Sequence, residues 1–198
     1  MDKHLRISIQ KIIINLKIMK IIKKIIFGLI FIVAILLIAG LFIKKEYAVE
    51  REITINKPID SVFNYVKLMK NQDNFSVWNK KDPNSIRTFK NTDGEVGFIY
   101  SWDSKNDEVG AGEQEIIKIT PNERIDFELR FKRPFEGTDK AYFITESVSN
   151  GTTKIKWGFN GSMKYPMNLL LPIMDMENML GKDLQKGLDD LKIILEKQ

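Results

Sequence analysis

A chain of 198 residues has room for one ordinary domain and an appendage, but hardly for two domains. It holds no cysteine, which excludes disulfides, thiolate nucleophiles and cysteine-ligated metal sites, and its single histidine, His4, lies near the N-terminus. The net charge of +5 is unevenly placed: residues 1–45 carry nine Lys/Arg against one acid and residues 46–198 carry 22 against 25, so the part that folds is slightly acidic and unlike a nucleic-acid reader.

Residues 1–24 form a basic tail that mixes isoleucine with lysine. Met19, followed by KIIKKIIFGL, reads as a more natural start than Met1, and mass spectrometry of the native N-terminus decides between them. From Ile25 to Ile43 there are nineteen residues without a charge, side-chain amide or hydroxyl. At 1.5 Å of rise each they extend about 28 Å, close to the roughly 30 Å hydrocarbon core of a bilayer. A cleavable signal peptide has a shorter apolar run and a pair of small residues before its cleavage site, and neither is present here, so the reading is an uncleaved single-pass anchor. Arg6, Lys11, Lys17, Lys20, Lys23 and Lys24 precede the run, whereas Lys44, Lys45, Arg51 and Lys57 follow it. This bias places the N-terminus in the cytoplasm and the domain, residues 46–198, outside the cell membrane.

After Lys45 the pattern changes at once. YAVEREITI puts Val49, Arg51, Ile53 and Ile55 on one face, the period of two of a half-buried strand. NKPIDSVFNYV switches to helical spacing, with Pro58 at its start and Val62, Phe63 and Val66 on one side. A second short helix or turn follows over Leu68–Trp78, then a weak strand near Ser85–Phe89. VGFIYSW, QEIIKIT, RIDFELRF, TDKAYFITESV and TTKIKWGFNGS come next, separated by DSKND, PN, RPFEG and SNG turn chemistry. Each strand has a heavy inward face: Phe98, Tyr100 and Trp102; Phe127, Leu129 and Phe131; Ala141, Phe143 and Thr145; Ile155, Trp157 and Phe159. The opposite faces carry Asp126, Glu128 and Arg130, or Lys154 and Lys156. Finally Met176, Leu180, Leu184, Leu188, Leu191 and Leu195 form a helical stripe long enough to need the aromatic face of the sheet as its partner.

This order, with VEREITINKPIDSVFNYV, VGAGEQEIIKITPNERIDFEL and KIKWGFNGSMKYPMNLLL leading into GKDLQKGLDDLK, resembles the SRPBCC superfamily. That superfamily includes START lipid-transfer domains, the birch pollen allergen family and polyketide cyclase/dehydratase-like proteins. The resemblance covers about residues 46–197 and is closest to bacterial members with an N-terminal membrane anchor. It implies an α+β helix-grip fold, a curved antiparallel sheet wrapped around a long C-terminal helix, with a cavity between them for a lipid or other hydrophobic small molecule.

Trp78, Phe98, Tyr100, Trp102, Phe127, Phe143, Trp157, Met167, Met174 and Met176 are the ligand-binding candidates, and Met163 and Met179 are similar wall material. Aromatic and methionine residues at such spacings also serve as plain core. MNLLLPIM, between Pro166 and the acidic DMEN, reads either as a turn entering the last helix or as an entrance that touches lipid. No catalytic residue, metal ligand or cofactor is assigned. Two alternatives stay open: an enzyme such as a polyketide cyclase, dehydratase or hydrolase using the same cavity, and a membrane-tethered stress-response or protein-interaction module. The enzymatic reading needs a buried carboxylate, with Glu113, Glu115 and Asp175 as its candidates. Gly181 and Gly187 in the last helix permit either close approach to the sheet or a kink.

Overall fold

The computed structural model describes residues 3–198, with side chains from Asn15 onward. The chain divides into two compact units, one comprising the residues up to Lys44 together with Lys164–Leu170, the other Lys45–Met163 with Leu171–Gln198.

In the first unit helix α1 runs without interruption over Lys3–Gly40. Its stretch Asn15–Gly40 is long and apolar enough to cross a membrane, and its side chains are exposed up to Ala39. The helix ends at Gly40, three residues before the end of the apolar run at Ile43.

The second unit follows the expected order of elements. Strand β1 (Glu46–Ile55) leads into α2 (Ile59–Lys67), where Pro58 occupies the position before the first turn and Val62, Phe63 and Val66 are buried. The stretch over Leu68–Trp78 expected to be a second short helix or turn is three pieces that run on to Lys81: a 3-10 turn at Met69–Asn71, then α3 (Gln72–Phe75) and α4 (Val77–Lys81). Ser76 separates the last two in an extended conformation, and its hydroxyl accepts the Asn79 N–H.

Six further strands follow: β2 (Ile86–Lys90), β3 (Ile99–Asp103), β4 (Ala111–Thr120), β5 (Arg124–Arg133), β6 (Gly137–Ser149) and β7 (Thr152–Ser162). All pair antiparallel in the order β1-β7-β6-β5-β4-β3-β2, so the first strand pairs with the last. A register shift between Ile116 and Lys118 bends β4, consistent with the curvature of a sheet that wraps a helix.

Helix α5 (Met176–Lys197) lies on the concave face and buries Leu184, Leu188, Leu191 and Leu195 there. Toward one end of that face the core is solid. Ile55, Phe98, Ile116, Ile125, Phe127, Phe143 and Ile155 pack with Val62, Phe63 and Phe75 beneath the later turns of α5. This is the helix-grip fold.

Both glycines of α5 allow close approach, but unequally. A β-carbon at Gly187 would lie 2.6 Å from the Trp157 ring and 3.3 Å from the Phe75 carbonyl oxygen, whereas one at Gly181 would meet the end of the Arg51 side chain. The Trp157 ring is confined, and the Arg51 guanidinium can move. Gly187→Ala is therefore expected to destabilise by ~1–3 kcal/mol despite the better helix propensity of alanine. Gly181→Ala is expected to be neutral or stabilising by up to ~1 kcal/mol, and chemical denaturation of the two variants side by side checks the contrast.

Candidate functional site

The concave face is not filled along its whole length. Beneath the first turns of α5 it encloses a cavity of about 350 Å³. Strand alternation aims the wall residues inward: Tyr100 and Trp102 from β3, Gln114 from β4, Leu129 and Phe131 from β5, Ala141 from β6, Trp157 and Phe159 from β7. Trp78 on α4 and Leu180 and Leu184 on α5 complete the apolar part. Trp78 stands edge-on to Trp157 at 5.9 Å, and Trp102 edge-on to Phe131 at 6.0 Å. The Trp102 indole N–H donates to the Val109 carbonyl at 3.2 Å, which fixes its ring against the loop after β3.

Four polar groups meet at one side of this space. Tyr100 donates its hydroxyl proton to Asp73 Oδ1 at 2.7 Å, and Asn79 Nδ2 donates to the same oxygen at 2.8 Å and to the Tyr100 hydroxyl at 3.3 Å. Arg87, on the edge strand, pairs with Asp73 at 3.0 Å and donates to the Asn79 carbonyl at 2.7 Å. Burial first, and the bond to Asp73 second, push the Tyr100 hydroxyl well above its ordinary pKa, so it stays protonated. The Arg87–Asp73 pair is neutral as a unit and offers a guest hydrogen bonds rather than net charge. Gln72 also borders the cavity, is 5% exposed, and its Nε2 has no hydrogen-bond partner.

Asp139 and Tyr47 form a second polar spot in the wall. Desolvation raises the Asp139 carboxyl above its ordinary value, opposed by the Ser162 N–H that it accepts at 2.9 Å. Burial, then the charge of Asp139, pushes Tyr47 up to about 12. A raised folded-state carboxyl pKa means that the native protein holds a proton the unfolded chain has released. Stability therefore falls as pH rises from the ordinary aspartate range through the raised value. Asp139→Asn keeps an acceptor for Ser162 and is expected to flatten that slope and stabilise the protein at neutral pH, as urea unfolding from acid to neutral pH will show.

Of the ten candidates, Trp78, Tyr100, Trp102 and Trp157 line the cavity. Phe98, Phe127 and Phe143 share the concave face but lie in the solid core, at most 1% exposed. Met167 belongs to the 3-10 turn Met167–Leu170 of the other unit, and Met174 and Met176, both half-buried, do not line the cavity. The carboxylates considered for catalysis lie away from the cavity. Glu113, Glu115 and Glu128 surround Arg130 at 2.7, 2.8 and 2.6 Å on the outer face of the sheet, and hydrogen bonding to Arg130 holds Glu113 below its usual range. Asp175 caps α5, and the hydrogen bond from the Asn178 side-chain amide first, then that from the Asn178 backbone N–H, lowers its pKa too. Asp126 pairs with Arg124 on that outer face, as alternation predicts. Among the described residues no group of three or more His, Asp or Glu is placed to hold a metal ion.

The lining includes residues that no sequence motif marks. Asp139 could have been found by its alternation with Ala141 and Phe143, and Arg87 by its alternation with Phe89. Gln72 and Asn79 sit on short helices, with Ser76 in the break between them, and the facing of such short pieces cannot be read from a period.

No protein-family model matches the sequence, and no curated protein matches it. Solved structures do match. An uncharacterised protein from Rhizobium leguminosarum is 15% identical, with a TM-score of 0.53 over 78% of this chain and 97% of that one. Ara h 8.0201 is 14% identical, with a TM-score of 0.54 over 77% and 99%. DynU16, a protein of the dynemicin biosynthetic locus, is 12% identical, with a TM-score of 0.52 over 75% of this chain and 47% of its own. At these identities the likeness is one of fold.

Proposed function

We propose that the domain binds an amphipathic small molecule in the cavity under α5, and that α1 anchors it in a membrane with the N-terminus in the cytoplasm. The observation that carries the binding reading is an unfilled space of about 350 Å³ beside a solid core, walled by three tryptophans and bordered by a hydrogen-bonding cluster. That volume is at the small end of the ~300–1,000 Å³ usual for ligand pockets, which suits one short acyl chain or a molecule of a few rings rather than a two-chain lipid. Its apolar part would lie against Trp78, Trp102, Trp157 and Phe131, and its polar end would reach Asn79 and Arg87. Native mass spectrometry of the full chain released from membranes in mild detergent tests this. A bound mass that leaves on denaturation is expected; a bare chain that also fails to take up short-chain amphiphiles saturably overturns it.

A second reading is an enzyme working in the same cavity. It is favoured by Asp139, a carboxyl in the cavity wall with a raised pKa beside Tyr47, and by the likeness to DynU16. The two readings separate on the recovered guest: under binding it leaves unchanged, and under catalysis its mass alters in the native chain but not in Asp139→Asn.

A further inference from the structure

The loop between β7 and α5 belongs, in its residues Lys164–Leu170, to the same compact unit as α1. The reason is Asn168. Its side chain is fully buried, and Nδ2 donates to the carbonyls of Gly40 at 2.7 Å and Ile43 at 3.0 Å. The last carbonyls of any helix lack partners within it. Here the N–H groups of Leu41 and Phe42 take those of Ile38 and Ala39, and Asn168 takes that of Gly40 from a place 128 residues further along the chain. Leu169 and Tyr165 close over the same spot, where a β-carbon on Gly40 would be 3.0 and 3.3 Å from their side chains. A side chain at position 40 would make them give way by a few tenths of an ångström.

A helix end in water has no need of such a cover, since solvent meets its carbonyls. In or at the edge of hydrocarbon there is no water to do so, and an unsatisfied carbonyl is costly. The side chains around the clamp agree with the second environment. Leu41 and Phe42 are 63% and 84% exposed, and Tyr165, Met167 and Leu170 between 39% and 48%. No charged residue occurs between Tyr165 and Ile173. An apolar group of this kind, tied by hydrogen bonds to the last turn of a membrane-length helix, lies at the level where that helix leaves the bilayer. Tyrosine is enriched at that level.

We propose that residues 165–170 are a second membrane contact, an apolar foot that Asn168 holds against the end of α1 and that enters the interfacial layer of the bilayer through Tyr165, Met167 and Leu170. The inference rests on reading α1 as a membrane span. The occupant is the lipid surface itself, and the foot fixes the chain at a second point in addition to its anchor.

The absence of cysteine allows single labels in the full-length protein. Met167→Cys and, within the helix, Leu36→Cys would each carry an environment-sensitive fluorophore in phosphatidylcholine/phosphatidylglycerol vesicles containing brominated chains. Both labels are expected to lose emission, the label at 167 most to bromine near the headgroups and the label at 36 most to bromine near the chain ends. If the label at 36 is quenched and that at 167 is not, whether because it is in water or covered by protein, the foot is overturned while the anchor stands. If neither is quenched, the anchor fails and the foot with it. Adding Asn168→Ala to the 167-labelled chain is expected to weaken quenching there, and adding it to the 36-labelled chain to leave that label unchanged. Undiminished quenching at 167 would overturn the role of Asn168 as the clamp.

Discussion

Replacing Phe143 by alanine is expected to remove ~3–5 kcal/mol of unfolding free energy, a large part of the ~5–15 kcal/mol that a domain of this size possesses. Its ring lies 5.0 Å from Trp157, 5.8 Å from Phe127 and 6.2 Å from Phe75, and it is 1% exposed. No neighbour can fill the hole without leaving its own contacts. The informative partner is Trp102→Ala. That ring is half-buried, borders space that is already open, and loses one hydrogen bond, so its removal is expected to cost only ~1–2 kcal/mol of stability. Guest binding should suffer more in Trp102→Ala than in any variant with similar stability. Denaturation of the full chain in detergent, followed by tryptophan emission, separates the two. Equal losses would mean that the space beside Trp102 behaves as ordinary core.

Filling the cavity is expected to weaken guest binding roughly thirtyfold with little damage to the fold. Ala141 is the suitable position: it lies on β6 between Phe127 and Phe159 in register, 5% exposed, and its side chain borders the open space. A phenylalanine there projects into the volume that a guest needs. Displacing the equivalent of three methylenes of guest contact costs about 2 kcal/mol, roughly thirtyfold in affinity. Stability should change by no more than ~1–3 kcal/mol, the range for added bulk in a packed region, and less if the ring settles into the cavity. Titration of the full chain with a short-chain amphiphile, wild type against Ala141→Phe, checks this. Unchanged affinity with an intact fold would place the guest elsewhere and remove the basis of the proposed function.

Much of the architecture was legible in the residues because burial follows a period. Val49, Ile53 and Ile55 on one face of β1, and Leu184, Leu188, Leu191 and Leu195 along α5, are what strand and helix geometry require of chains that cover a single core. Turn chemistry such as PN and SNG divided the strands correctly. The three short pieces between Met69 and Lys81 were less legible, because a helix of four or five residues completes too few turns to display a period.

The site was legible only in part, and for a related reason. Alternation tells which face of a strand a residue occupies, but not whether the space above it is filled. Phe143 and Ala141 are two residues apart on one face of β6, and one is core while the other is cavity wall. The difference depends on where α2, α3 and α4 reach across the sheet, which is a matter of distant contacts. The Asp73–Tyr100–Asn79–Arg87 cluster joins four elements, α3, β3, α4 and β2, whose convergence no local pattern encodes.

By itself, then, the sequence determined the membrane-length helix, the order of strands and helices, the inward face of each strand and the helix that must cover them, since these follow from local periodicity and the aversion of apolar surface to water. Only the tertiary structure decided which half of the concave face is solid and which is open, how the polar groups of the cavity satisfy one another, and that Asn168 closes the end of α1. Those outcomes depend on packing and hydrogen bonding between residues as many as 128 positions apart, which a one-dimensional pattern does not record.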